Sequence, residues 1–259
     1  MEEKFDEMVD GLICDLDKFL ENLTIVKFDS KQQALFICSV SLFIKTLRTF
    51  KAIKVLCAEG LNQEARALLR VLAETVITLQ AIHQDDSESR AERYLAYTLL
   101  LDEKILNSWK SNPDLREGIQ PEIKSKIQEI TTLLKDRYGE SSYEEIRNSY
   151  CKGIINGNVE AAFKLVGLSV AYDTLYRFCS RSIHAEDVNE YIKIDPDGGY
   201  TLLRVDFKGI KEILREGGMF LCSAMELIGK AFKLHTSKEI KKRKQYFQYF
   251  SEYKPKQEE

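Results

Sequence analysis

Glycine and proline are scarce in this chain. It holds 13 Gly and 4 Pro in 259 residues, roughly half of the ~12 % that average usage gives for the two together. A chain so poor in turn-formers cannot supply the many tight turns of a β-sandwich or a barrel. Charged residues make up 31 % and apolar residues 44 %. That balance suits long amphipathic helices with one wet face each, and it excludes global disorder. The length is at the upper end of what one core spans. With no internal repeat and no long linker in the sequence, a single helical domain over 1–259 is expected, its core about 30–235. The expected fold is mostly α: a bundle of about seven to nine helices with one inserted β-hairpin.

The net charge is -3, which excludes wholesale coating of nucleic acid; any such contact needs a local basic patch. None of the six Cys (14, 38, 57, 151, 179 and 222) pairs at C-x-x-C spacing. Reduced thiols in a cytoplasmic protein are the plain reading. Met1–Asp10 is acidic and lacks an apolar h-region, so no signal peptide is expected. The most apolar stretch, Ala34–Ile44, is about half the length of a membrane span, and no membrane partner is expected.

Apolar residues at spacings of three and four predict helices over 3–22, from about Gln33 to Ala58, 62–83, from about Glu88 to Trp109, and 121–137. A brief helix to about Lys152 and a long one from Asn158 to about Ile183 follow. Ser30-x-x-Gln33, Asp85-x-x-Glu88, Ser142-x-x-Glu145 and Thr236-x-x-Glu239 have capping-box form, and Gly60 stands at a C-cap position. The period then changes. Ile192 and Ile194 alternate with Lys193, and Pro196-Asp197-Gly198-Gly199 separates them from a second β-rich run, which predicts a hairpin at about 191–205. Asp206 is positioned to cap a helix to about His235, and a last basic, aromatic helix covers about 237–253.

One stretch concentrates chemistry. Between Asp173 and His184, a 100° step per residue puts Arg177 and His184 nearly in line, with Asp173, Ser180 and Arg181 in the same arc. Leu168, Tyr172, Leu175, Cys179 and Ile183 fall on the opposite, core side. An imidazole exchanges protons near neutral pH. A guanidinium grips phosphate and stabilises developing negative charge. Together they suit phosphodiester cleavage in RNA without a metal. The plain alternative is a solvated helix face whose basic residues favour the C-terminal end of the dipole.

Two motif islands, Ala65-Arg66-x-x-x-Arg70-x-x-x-Glu74 and Tyr172-x-x-x-Tyr176-Arg177-x-x-Ser180-x-x-x-His184, resemble a bacterial helical family, domain of unknown function 5677. That family in turn resembles the HEPN superfamily (higher eukaryotes and prokaryotes nucleotide-binding). The resemblance implies an HEPN-like bundle, often a homodimer, whose members are in many cases metal-independent endoribonucleases of toxin and antiviral systems. They carry an Arg-x(4–6)-His motif. Arg177 and His184, with six residues between them, fit its loosest spacing. The resemblance gives His184 the role of general acid or base and Arg177 that of charge stabiliser. It also implies an RNA substrate and an antitoxin or defence-system partner. The residue after the motif Arg is often polar in active members; here it is Phe178.

Arg70 and Glu74 stand one helical turn apart among Leu68, Leu69, Leu72 and Val76. Buried charges need partners, so Glu74 is expected to pair with Arg70 or Arg177 and, with Tyr176, to support the site. His83, Asp85, Asp86 and Glu88 read as a helix cap, so neither a metal nor a cofactor is expected. Lys241, Lys242, Arg243 and Lys244, followed by aromatics, fit either nucleic-acid contact or the wet side of a docked amphipathic helix. Two functions stay open: a metal-independent RNase, or a non-catalytic helical module that binds a partner protein, a nucleotide or another phosphate-bearing ligand.

Overall fold

The structure is a computed structural model. It describes residues 2–23, 32–111, 120–140, 159–183, 191–194, 200–202, 205–234 and 238–252. The protein is mostly α. The long helices are α1 (Glu2–Leu23), α2 (Gln33–Ala58), α3 (Asn62–Ile82), α4 (Ser87–Lys110) and α5 (Gln120–Tyr138). Then come α6 (Val159–Leu165), α7 (Ser169–Ala171), a π-helical turn (Tyr172–Tyr176) and α8 (Arg177–Ile183). The expected hairpin is present as β1 (Ile192–Ile194) and β2 (Tyr200–Leu202), antiparallel, with Lys193 opposite Thr201. Helices α9 (Ile210–Ala231) and α10 (Lys238–Glu252) close the described chain. The helix expected before Lys152, and the caps expected from Ser30, Ser142, Asn158 and Thr236, lie outside the described residues.

Contacts group the chain into two compact units: 1–28, 39–80 and 163–259 in the first, 29–38 and 81–162 in the second. Three of the four divisions fall inside α2, α3 and α6; the other lies between α1 and α2.

In the first unit, α1 buries Phe5, Val9, Leu12, Leu16 and Phe19, the stripe its spacing dictates. Phe19 meets Phe43 of α2 edge-to-face at 5.5 Å, and α1 packs against α9; Phe50 and Ile53 of α2 and Leu69, Leu72 and Val76 of α3 are buried in the same unit. Helix α9 has two glycines mid-span, each costing about 1 kcal/mol of helix propensity relative to Ala. Close approach explains them. A Cβ on Gly217 would stand 2.8 Å from the Phe50 ring, and one on Gly218 2.9 Å from the Phe247 ring. Phe247 also meets Phe5 edge-to-face at 6.2 Å, and with Ile240 it docks α10.

Gly60 ends α2 as its position predicts. Leu61 N–H donates to the Leu56 carbonyl (2.9 Å) and Gly60 N–H to the Cys57 carbonyl (3.2 Å), with Gly60 at φ 69°. These are the paired bonds of a Schellman stop. Two of the capping expectations are corrected. Asp206 does not cap α9, which starts four residues later behind Gly209. The Asp206 carboxylate instead accepts from Asn62 Nδ2 (2.7 Å) and Lys208 N–H (2.9 Å), tying α3 to the segment before α9. Asp85 does not cap α4, whose N-cap is Asp86.

In the second unit, Glu88 accepts from the backbone N–H groups of Ala34 (2.9 Å) and Leu35 (3.0 Å). An acidic side chain thus caps α2, not its own helix, where the positive end of the dipole favours it. Ala96, Leu100 and Ile130 join α4 to α5. Among the described residues, no helix is long and apolar enough to cross a membrane.

Candidate functional site

The motif segment begins after α6. Leu168 N–H donates to the Phe163 carbonyl (2.8 Å), stopping α6, so the single long helix expected to Ile183 is in fact broken at Gly167. The chain re-enters helix at Ser169 and passes at once through the π-helical turn Tyr172–Tyr176. Such turns are rare and recur at functional sites. This one changes the register, so an even 100° step no longer assigns the faces. Tyr176, placed by sequence among the supporting residues, points inward and is 6 % exposed. Ile183, expected on the core side, is 43 % exposed, while Cys179 is buried as expected.

Tyr176 is the anchor. Its hydroxyl donates to Glu74 Oε1 at 2.5 Å and accepts from Arg70 Nη2 at 2.8 Å. Arg70 Nε donates to the same Glu74 oxygen at 3.1 Å. The Arg70 guanidinium lies 4.6 Å from the Tyr176 ring centre. Glu74 therefore pairs with Arg70, not Arg177. Burial, then the hydrogen bond to Glu74, pushes the Tyr176 phenol up to about 12. Phe163 and Tyr172 pack against the Tyr176 ring at 5.4 and 5.1 Å. Two buried donors in this region, Arg70 Nη1 and Gln63 Nε2, carry no hydrogen bond. Such donors normally find a partner.

The outward side differs in character. Arg177 and Arg181 are exposed, four residues apart on α8. Arg177 is 3.2 Å from Asp173, in a pair whose side chains are 62 % and 66 % exposed, and it lies over the Tyr172 ring at 5.3 Å. A pair so exposed is screened by water and contributes little to stability. Ser180, expected beside Arg177, spends its hydroxyl on the Tyr176 carbonyl at 2.8 Å. His184 lies outside the described residues, next after Ile183.

Two residues here, Gln63 and Ser182, were not singled out by sequence. Gln63 Oε1 accepts from Ser182 Oγ at 3.0 Å, pinning the end of α8 to α3. Arg66 lies over the Phe178 ring at 5.0 Å. The available signal was the helical ladder 63, 66, 70, 74, one continuous face of α3 turned toward α8.

At the far end, the basic run of α10 divides. Arg243 Nε donates to Asp15 Oδ2 at 2.7 Å and its Nη1 to the Met8 carbonyl at 3.1 Å. Lys244 pairs with Glu226. Both are held within the first unit, contrary to a free basic run. Lys241 and Lys242 are exposed. Among the described residues no group of three or more His, Cys, Asp or Glu side chains could hold a metal.

The model of a family of unknown function, DUF5677, matches residues 36–200. The chain belongs to that family. The match spans α2 to β2 and includes both Arg70–Glu74 and Tyr176–Arg177. No curated protein and no solved structure matches the chain.

Proposed function

We propose that this member of the DUF5677 family is a metal-independent endoribonuclease of HEPN type, with Arg177 and His184 as its catalytic pair. The observation that supports this most is the two-sided build of α8. Its inner side is locked by Tyr176 onto Glu74 and Arg70, while Arg177 and Arg181 stand outward where a phosphate can reach both. A helix fixed from within presents both guanidinium groups on its outward side, where each can stabilise negative charge developing on a bound phosphate.

In the proposed reaction, His184 takes the proton of a ribose 2′-hydroxyl. The 2′-oxygen bonds to phosphorus, and Arg177 and Arg181 hold the non-bridging oxygens. The bond to the 5′-oxygen breaks, and that oxygen leaves with a proton from a second imidazole or from water. The products are a 2′,3′-cyclic phosphate and a 5′-hydroxyl. Asp173 restrains Arg177 in the free protein, and Ser180 steadies the turn beneath it. Lys241 and Lys242 extend the contact with RNA, and two copies of the chain combine their sites. A role in a toxin or antiviral system, with a partner that restrains it, follows from the same reading.

Incubation with tRNA and total RNA in EDTA tests the reading. Fragments ending in 2′,3′-cyclic phosphate are expected from the wild type and are absent with His184→Ala. Equal behaviour of the two proteins would favour a module that binds a phosphate-bearing ligand without turning it over.

A further inference from the structure

The wheel of α8 sets three exposed side chains side by side. From Arg177, Arg181 is turned by about 40° and Phe178 by about 100°. All three are exposed. Phe178 is a large apolar ring one residue from a proposed catalytic arginine, at a position where burial would be the ordinary outcome.

The ring is not loose. The Arg66 guanidinium lies 5.0 Å from its centre. The Arg66 guanidinium also lies close to Gly209, where a Cβ would stand 3.1 Å from its Nη2. Phe178 is 50 % exposed, as expected for a flat ring with one face covered and the other open to solvent. A cation on one face of an aromatic ring leaves the opposite face free to stack. Its exposed neighbours on the helix, Arg177 and Arg181, are cationic, so the complementary ligand is an anion that carries its own flat, apolar group.

We infer that Phe178, backed by Arg66, is a stacking platform for an unpaired base of single-stranded RNA, with the adjoining phosphates on Arg177 and Arg181. Aromatic faces accept splayed-out bases, and duplex RNA keeps its bases within the helix. The substrate class is therefore single-stranded segments such as loops and ends. The inference rests on the RNase reading for its substrate, but a base can stack whether or not the RNA is cut.

The test measures binding of fluorescent oligo(A) and of a blunt RNA duplex of equal length to the full chain carrying His184→Ala, so that cleavage cannot intervene. Oligo(A) is expected to bind more tightly than the duplex. Phe178→Leu, which keeps apolar bulk against Arg66, should weaken oligo(A) binding by roughly fivefold to a hundredfold, the range for one lost stacked base. Phe178→Tyr should retain it, and duplex binding should change less than twofold. A Phe178→Trp, Trp109→Phe variant gives a direct readout, since a stacked base quenches the indole. Unchanged oligo(A) affinity in Phe178→Leu, or no quenching in the Trp variant, would overturn the platform. If wild-type protein cuts RNA while Phe178→Leu binds normally, the platform falls and the RNase stands. If wild-type protein does not cut but Phe178→Leu loses affinity, the RNase falls and the platform stands.

Discussion

At the residue scale, the best-defined feature is one phenol. Tyr176 joins α8 to α3 by donating to a carboxylate and accepting from a guanidinium. Removing its oxygen leaves Glu74 and Arg70 each short of a partner in a part-buried setting, where lost hydrogen bonds to charged groups cost about 1.5–3 kcal/mol. Tyr176→Phe should therefore lower the unfolding free energy from urea titration by that amount while leaving the helix content of the native state unchanged. The pH dependence has a definite sign. The phenol is raised from 10.0 to about 12 in the folded protein, so the fold favours its neutral form. Its contribution is complete below pH 10 and is lost as pH rises through about 12. Urea midpoints measured between pH 9 and 12 should fall more steeply for the wild type than for Tyr176→Phe.

At the element scale, the helix stops and close approaches are the sensitive points. Gly60 holds φ 69°, and a Cβ there would stand 2.9 Å from the Phe207 ring and 3.0 Å from Val205. Gly60→Ala carries both a left-handed backbone penalty and a clash, for about 2 kcal/mol or more in thermal or denaturant unfolding. This stop was legible in the sequence because Gly60 falls directly after a periodic run. The hairpin was legible for a related reason: Lys193 between two isoleucines alternates with period two, and four turn-formers follow. The π-helical turn at Tyr172–Tyr176 was not legible. Its five residues have ordinary helical propensity, and tertiary packing of Phe163, Tyr172 and Tyr176 accompanies the change of register. Ile183 is 43 % exposed for a different reason: it is the last residue of α8, one turn beyond the buried Cys179. The capping role of Glu88 was hidden for the opposite reason. Its sequence neighbourhood offers a local box, but the donors it serves are 53 and 54 residues away, a distance that no local pattern encodes.

At the scale of the whole molecule, scarcity of Gly and Pro does set the class, and the regular elements among the described residues are helices and one short hairpin. Contacts nevertheless divide the chain into two units, with three of the four divisions inside helices, an organisation that composition does not signal. With net charge -3, the proposed attraction to RNA has to come from the local arrangement of Arg66, Arg177 and Arg181 rather than from the overall field. Of that arrangement, the sequence exposed Arg177, Arg181 and the Arg70–Glu74 pair, because charged residues at helical spacing inside apolar runs are conspicuous. Phe178 stood out only as the residue after the motif Arg; its contact with Arg66, which arrives from another helix, is not encoded in local spacing.

The central claim is that Arg177 is a catalytic residue and not part of the scaffold. Its exposed pair with Asp173 makes the distinction measurable, since Arg177→Ala should change unfolding free energy by less than about 0.5 kcal/mol. The decisive measurement is the single-turnover cleavage rate of single-stranded RNA in EDTA by wild type and Arg177→Ala at matched stability. Loss of one charge-stabilising group predicts a fall of roughly a hundredfold or more. An Arg177→Ala protein that cuts as fast as the wild type would contradict the account.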